Sequence, residues 1–300
     1  MTDTTSHDLV VIGAGVAGLA AARAALRAGL SVAWLEAQMF GGLIMNVNEL
    51  DGAMSGSGSD FASDLMMQAA ELGGESLDGA ARGVEPDGDG LVVTSDSGRH
   101  RARAVIVASG ASLRKLGVPG EAELEYRGVS HCADCDGPMF QGRLVVVAGG
   151  GDSALQSALV LAKFCSRVVL VHRGGEFSAK PQFVAAVAAE PRIEARLHSE
   201  VTEVVGGDTV EGVRINGEVV PCHGFLAQVG LEPATAFLAA QVARDARGAL
   251  LVSDDLETAM PNVFAAGAAR AGCGGMIEDA MRDGESAARA VVQRLGNQKE

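Results

Sequence analysis

Asp8-Leu9-Val10-Val11-Ile12-Gly13-Ala14-Gly15-Val16-Ala17-Gly18 is the stretch whose reading decides the fold. Asp8 to Ile12 is a short apolar run that reads as a buried strand. It leads into Gly13-x-Gly15-x-x-Gly18 and an alanine-rich helix from Val16 to Ala28, which Gly29 stops. Ser31-Val32-Ala33-Trp34-Leu35 reads as the next strand, ending at Glu36. Strand, glycine loop, helix, strand and acid form the βαβ fingerprint of a dinucleotide site. Gly13 permits the tight turn. Gly15 lets backbone approach a pyrophosphate on the helix N-terminus, and Gly18 allows close helix–strand packing. Glu36 is placed to accept hydrogen bonds from a ribose hydroxyl.

The plan recurs downstream. Leu144 to Ala148 reads as a strand, followed by Gly149-Gly150-Gly151-Asp152-Ser153-Ala154, a helix from Ser153 to Phe164 and a strand from Val168 to Val171. That strand ends at His172-Arg173 where the first ended at Glu36. A basic residue there suits a 2′-phosphate, hence NADPH over NADH, against the plainer reading of a surface arginine. One fingerprint per half marks an internal duplication.

Between the fingerprints, Met39 to Gly58 is glycine-rich and irregular, with Gly41-Gly42 near its start; it wraps a cofactor or is a plain surface loop. Asp60 to Leu72 has a helical pattern. Leu91 to Thr94 and Arg103 to Val107 read as strands. Ala104 to Gly110 ends in Ser109-Gly110, small residues where backbone passes close to a cofactor. Val118-Pro119-Gly120 marks a boundary. Val201 to Val205, Val210 to Ile215 and Val219 to Pro221 read as a β-meander. The C-terminal part adds a strand, Asn262 to Gly267, and a helix from Met276 to Leu295 with Met281, Ala288 and Val292 on one face.

Between the two halves lies His131-Cys132-Ala133-Asp134-Cys135-Asp136-Gly137. C-x-x-C spacing lets one helical turn bring two sulfurs within disulfide range. A helix N-terminus favours thiolate at the first cysteine, so Cys132 carries the more depressed pKa. Exchange needs a proton donor and acceptor, and Asp136 is the nearest candidate. A zinc site would need two further ligands at suitable spacing, whereas Cys165, Cys222 and Cys273 are scattered singly; no metal is expected. Dithiol chemistry flanked by two dinucleotide sites points to electrons passing between nucleotide cofactors and a disulfide.

Bulk properties agree. Three hundred residues suit two domains. The charge is 24 − 38 = −14, the opposite of a nucleic-acid footprint. Five cysteines, an odd number, suit a reducing compartment. Met1 to Asp8 is polar without a basic n-region, and the apolar runs are too short to span a membrane. A soluble cytoplasmic protein with no membrane partner is expected.

The chain resembles the low-molecular-weight thioredoxin reductase family over nearly its whole length. The resemblance rests on Gly13-x-Gly15-x-x-Gly18, Ser109-Gly110-Ala111, Cys132 to Gly137, Gly149 to Ala154, Val171-His172-Arg173 and Val263-Phe264-Ala265-Ala266-Gly267. It implies an α/β fold of two Rossmann-like three-layer ββα domains, the second inserted into the first. Residues 1–116 and 246–300 would form the FAD domain, and 117–245 the NAD(P)H domain carrying the C-x-x-C. FAD would contact Gly13, Gly15, Gly18, Glu36, Gly42, Gly110, Gly267 and Met276. NADPH, with NADH possible, would contact Gly149, Gly151, Asp152, Ser153, Ala154, His172 and Arg173. By family logic Cys135 faces the flavin, Cys132 attacks the partner disulfide and Asp136 is the acid. The resemblance also implies a homodimer, a swivel of the inserted domain, and a thioredoxin-like protein or small-molecule disulfide or dithiol as partner.

Four departures stand out. Ala268 replaces the aspartate of the family's Ala-Gly-Asp. Gly275-Met276 replaces its Arg-Gln pair. Gly41-Gly42-Leu43-Ile44 replaces Gly-Gly-Gln-Leu. Gly174 and Ser178 stand where arginines are usual, with Lys180 nearby. Each lost hydrogen bond costs on the order of 1 kcal/mol, which the retained ADP half of the site tolerates. Two other readings follow from these departures. One is an oxidase that takes electrons from a small-molecule dithiol to oxygen with little use of NADPH. The other is a catalytically altered nucleotide-binding sensor or partner protein, against which the intact Cys132-x-x-Cys135-Asp136 argues.

Overall fold

A computed structural model describes residues 6–47, 50, 56–240 and 242–297. The polar segment before Ser6 and parts of the expected irregular stretch, 48–49 and 51–55, lie outside the described residues. The chain forms two compact units, one of residues 1–112 and 232–300, the other of Leu113–Leu231.

The first unit begins with β1 (Ser6–Ile12), α1 (Val16–Arg27) and β2 (Val32–Glu36). A 3-10 turn at Gly42–Asn46 orders part of the expected irregular stretch. Next come α2 (Gly58–Glu71), β3 (Glu75–Asp78), β4 (Ala81–Asp87), β5 (Gly90–Ser95), β6 (Gly98–Val107) and β7 (Ala111–Leu113). Strands β3 and β4 escape the sequence reading. β3 shows no apolar alternation, and Gly83 and Pro86 interrupt β4. Helix α2 is closed by a capping box, with Ser57 Oγ accepting from Asp60 N and Asp60 accepting from Ser57 N.

The second unit holds β8 (Val129–Ser130), α3 (Ala133–Asp136), β9 (Leu144–Ala148), α4 (Asp152–Leu161), β10 (Arg167–Val171), α5 (Pro181–Ala189) and β11 (Ile193–Arg196). It continues with β12 (Val201–Gly206), β13 (Val210–Ile215), β14 (Glu218–Pro221) and β15 (Gly224–Ala227). The chain then returns through β16 (Leu231–Pro233), which pairs with β7, to β17 (Val263–Ala265) and α6 (Ile277–Asn297).

Each unit is built on a sheet buried on both faces. In the first, the order is β3-β2-β1-β6-β5-β4, with β17 also on β6. β1 pairs in parallel with β2 and with β6, placing their C-terminal ends on one edge. Leu9, Val11 and Trp34 face α1, α2 and α6, while Val10, Ile12 and Leu35 face the β4–β6 meander. Burial on both faces explains why these strands read as continuous apolar runs. In the second unit the order β11-β10-β9-β15-β8 carries α4 and α5 on one face and the β12–β14 meander on the other.

Two expectations shift. The second crossing between units lies at Leu231/Glu232, upstream of the expected 245/246, because Leu238 and Val242 fill the core of the first unit. The first lies at Ser112/Leu113 rather than 116/117, since Leu116 and Val118 pack on the second unit's core. On α6 the buried face runs through Asp283, Gly284, Ala287, Ala288, Val291 and Leu295; Met281 and Val292 flank it. Among the described residues, no helix is long and apolar enough to cross a membrane.

Helix α6 lies on α1 at backbone contact. A Cβ on Gly284 would stand 2.1 Å from the Ala17 carbonyl oxygen. Alanine gains about 1 kcal/mol of helix propensity over glycine, but overpacking costs roughly 1–3 kcal/mol and this clash is with rigid backbone. Gly284→Ala is expected to lower the urea midpoint of unfolding, with a net loss of about 2 kcal/mol. A raised midpoint would show that the two helices separate freely.

Candidate functional site

In the first unit the C-terminal edge of β1 opens into a mouth built by glycines. A Cβ on Gly18 would sit 1.9 Å from the Gly13 carbonyl oxygen, so glycine there sets the approach of α1 to β1. Gly13 has φ of 103° and lies under Ala108. Gly15 is the N-cap of α1, with extended backbone, no side-chain cap and no acid in the first turn. The first-turn N–H groups are therefore left for an external acceptor. Gly42 (φ 63°) lies against Gly15, and Gly110 (φ 67°) borders open space. Ser109 Oγ is buried without a hydrogen-bond partner among the described residues. This open glycine cradle and orphaned hydroxyl fit a dinucleotide.

Glu36 ends β2, and its carboxylate accepts from Ala14 N at 2.8 Å, Ala37 N at 2.8 Å and Gln38 N at 3.1 Å. These bonds fix the acid at the mouth beside the glycine turn. Gly267, at φ 67°, donates its N–H to Asp283 Oδ2 at 3.1 Å. Asp283 also receives Arg270 through Nε and Nη2, each at 2.6 Å. This pair raises the Arg270 pKa, chiefly through the Asp283 hydrogen bond. Neither residue entered the sequence reading, although an aspartate on the buried stripe of α6 was a signal. Ala268 is half-buried, and Met276 is exposed just ahead of α6.

The second unit repeats the mouth with a different covering. Cβ atoms at Gly149 and Gly150 would meet the Gln228 carbonyl oxygen at 2.2 Å and His172 Nδ1 at 2.3 Å, so His172 lies flat over the glycine turn. Gly151 caps α4 without a side-chain bond. Ala154 is fully buried against the strand and Ser153 is exposed on the first turn of α4. Ser178 donates through N and Oγ to Gly150 O, at 2.9 and 3.2 Å. Asp152 accepts the Lys180 N–H at 2.7 Å and faces its Nζ at 3.5 Å. The strap 174–180 thus closes on the loop, and Lys180 is engaged by an acid. Arg173 is exposed at the end of β10 and makes no ion pair among the described residues.

Cys132 and Cys135 are joined in a disulfide, with Cα atoms 5.3 Å apart. The turn carrying them, α3, is only four residues long, so local hydrogen bonds rather than a long helix set its electrostatics. Cys132 Sγ accepts the Cys135 N–H at 3.1 Å. Asp136 Oδ2 accepts the Ser130 hydroxyl at 2.6 Å, while Ser130 Oγ accepts the Cys132 N–H at 3.3 Å. Ser130, 4% exposed, ties the acid to the first cysteine and was missed because nothing in the sequence marks it. Ala133 anchors the turn to α4. Burial pushes the Cys165 thiol up to about 11 and the Cys222 thiol up to about 12, leaving both protonated at neutral pH. Cys273 is raised by burial as well.

The model of the pyridine nucleotide-disulphide oxidoreductase family matches residues 7–293. The thioredoxin reductase of Treponema pallidum is 32% identical over 301 residues, covering 97% of this chain and 98% of that protein. The thioredoxin reductase of Listeria monocytogenes is 34% identical, covering 98% and 95%. Among solved structures, the thioredoxin reductase of Lactococcus lactis superposes with a TM-score of 0.90 at 31% identity, over 97% of this chain and 99% of that one. Two glycine-cradled mouths, a C-x-x-C disulfide and full-length similarity place this chain in the pyridine nucleotide-disulphide oxidoreductase family, among the low-molecular-weight thioredoxin reductases.

Proposed function

We propose that this chain reduces a disulfide substrate at Cys132 and Cys135, with NADPH as electron donor and FAD as carrier. The observation that carries the reading is the Cys132–Cys135 disulfide on a turn anchored to α4, whose own N-terminus opens on a nucleotide mouth. FAD belongs to the first unit, at Gly13, Gly15, Gly42, Gly110 and Gly267, with Glu36 on the ribose and Met276 at the flavin end. Gly18 acts there through packing. NADPH belongs to the second, at Gly149, Gly151, Ser153, His172 and Arg173, with Ala154 setting the helix approach and Asp152 holding the strap. Bound in the first unit, FAD supplies the conversion of a nicotinamide hydride into an electron pair for a disulfide.

The chain's own residues then manage the thiols. The N–H donated to Cys132 Sγ favours negative charge on that sulfur after reduction. Cys132 is therefore the thiolate that attacks the substrate, and Cys135 resolves the mixed disulfide. Asp136, held by Ser130, handles a proton at the turn. The relatives' names support a thioredoxin-like partner, and a homodimer in the cytoplasm suits the same reading.

Anaerobic titration with NADPH is expected to bleach the flavin absorption fully at about two equivalents, one electron pair for the Cys132–Cys135 disulfide and one for the flavin. A flavin that ignores NADPH but bleaches with a dithiol would reverse the direction of the reaction. Cys135→Ser is expected to abolish thioredoxin-linked disulfide turnover while the bound flavin content, read from its absorption, stays at the wild-type level. Full turnover in that variant would refute the thiol roles. Arg173→Ala is expected to raise the KM for NADPH about tenfold, the loss of one charge-assisted hydrogen bond, with the KM for NADH nearly unmoved. An equal change for both nucleotides would remove the 2′-phosphate contact.

A further inference from the structure

Asp283 is the acid on the buried stripe of α6, 8% exposed, and it takes hydrogen bonds from two directions. Its Oδ2 accepts the Gly267 N–H at 3.1 Å. The Arg270 guanidinium donates through Nε to Oδ2 and through Nη2 to Oδ1, each at 2.6 Å. The remaining guanidinium nitrogen, Nη1, donates to the Ala271 carbonyl at 2.8 Å. One turn earlier on the same helix, Asp279 lies against the far end of the loop. A Cβ on Gly274 would stand 2.1 Å from Asp279 Oδ2. Carboxylates four residues apart share a helix face, and here they meet both ends of loop 267–274.

The loop leaves the sheet at the mouth of the first unit. At that edge the strands stand in the order β2-β1-β6-β17, because β1 pairs with β2 and β6, and Ala265 of β17 pairs with Val107 of β6. Glu36 ends β2 and Gly267 follows β17, so the two lie on opposite sides of β1. Gly267 also touches α1: a Cβ on it would stand 2.8 Å from the Ala17 Cβ, in the first turn of that helix. Leu250 brackets the middle of the loop, donating to the Ala269 carbonyl and accepting from Ala271 N, both at 2.9 Å. The Gly267 end is tied by Asp283. Ala268, between these two supports, brings no polar side chain. What this stretch offers a ligand is the position of its backbone.

A buried ion pair is a poor source of stability, since desolvation consumes most of the attraction. This one joins a helix to a backbone N–H at the rim of a ligand mouth, which suits a role in geometry. We propose that the Asp283–Arg270 pair holds loop 267–271 in the shape that receives the flavin half of FAD, and so governs FAD affinity; the proposal rests on the reading of the first unit as the FAD site. With the ribose on Glu36 and the pyrophosphate on the uncapped amides of α1, the rest of the dinucleotide extends toward the β17 side of the mouth. A loop already held in its bound shape needs no ordering when the ligand arrives. Released from Asp283, the same loop has to be ordered by FAD, and affinity falls. Both Asp283 oxygens are engaged within the protein, so Asp283 and Arg270 act through Gly267 and are positioning residues.

The test is calorimetric titration of the full chain, stripped of flavin, with FAD and separately with ADP. ADP carries the adenosine and pyrophosphate alone, and so reports on Glu36 and α1 without the flavin half. Asp283→Asn keeps the size of the side chain and an acceptor for Gly267 N, but leaves Arg270 without its counter-charge. It is expected to raise the Kd for FAD about tenfold, the loss of one charge-assisted hydrogen bond, and to move that for ADP by less than about twofold. Arg270→Lys keeps the charge and loses the two-pronged grip. It is expected to raise the Kd for FAD about threefold, and it covers the case in which the asparagine variant folds poorly. Arg294→Gln breaks the Glu257 pair near the C-terminal end of α6 and serves as the control for helix stability; both constants are expected to stay at their wild-type values. A pair that only stabilised the unit would move FAD and ADP together or move neither. Unchanged FAD affinity in the folded variants, or equal weakening of both ligands, overturns the proposal while FAD binding by the wild type leaves the flavin reading standing. A wild-type chain that takes up no FAD sinks the flavin reading and the proposal with it.

Discussion

The close approach of backbone to backbone at the glycine turns governs much of this structure. A side chain on Gly18 would overlap the Gly13 carbonyl, and one on Gly284 would overlap the Ala17 carbonyl. Without Cβ atoms at these points, α1 settles onto β1 and α6 settles onto α1. The N-terminus of α1 is then carried to the sheet edge with its amides uncapped, beside Glu36 and the open space under Gly110. A helix end left without side-chain acceptors at such a place suits an anionic ligand. In the second unit Ala154 stands where the first has Gly18. A Cβ on Gly149 would lie 2.7 Å from the Ala154 Cβ, so the glycine makes room for the alanine.

The departures from the family pattern acquire a physical sense. Ala268 offers no carboxylate, yet the loop that carries it is ordered by Asp283, which binds Gly267 N and Arg270 together. A buried carboxylate with three hydrogen bonds has its desolvation largely offset. In the second unit, Ser178 and Asp152 tie the strap 174–180 to the glycine turn. Arg173 is left as the exposed cation at the end of β10. The basic residues do not act as one cluster, because Lys180 is committed to Asp152.

The redox turn gathers its polar groups from short range and long range alike. Asp136 and Ser130 lie close to the cysteines in sequence and close the turn on itself. Lys115 and Glu125 arrive from the preceding loop and reach His131. Four residues of helix carry too little dipole to set the chemistry of a thiol. The N–H of Cys135 and the side chains around it do so instead.

The sequence by itself determined the repeated βαβ plan, the two glycine turns, Glu36 and Arg173 at matching strand ends, and the C-x-x-C with its acid. Those features rest on spacing along one chain: period in a strand, turn geometry at a glycine, two residues between sulfurs. The tertiary structure alone decided that β3 and β4 are strands, since cross-strand pairing compensates for their weak apolar pattern. It decided where the chain returns to the first unit, because Leu238 and Val242 have no periodic element to announce them and find their place only in the core. It decided the partners of Gly267, Asp136 and His131 too. A hydrogen bond between residues far apart in the chain leaves no trace in local spacing, and becomes readable only when the fold brings the two atoms within reach.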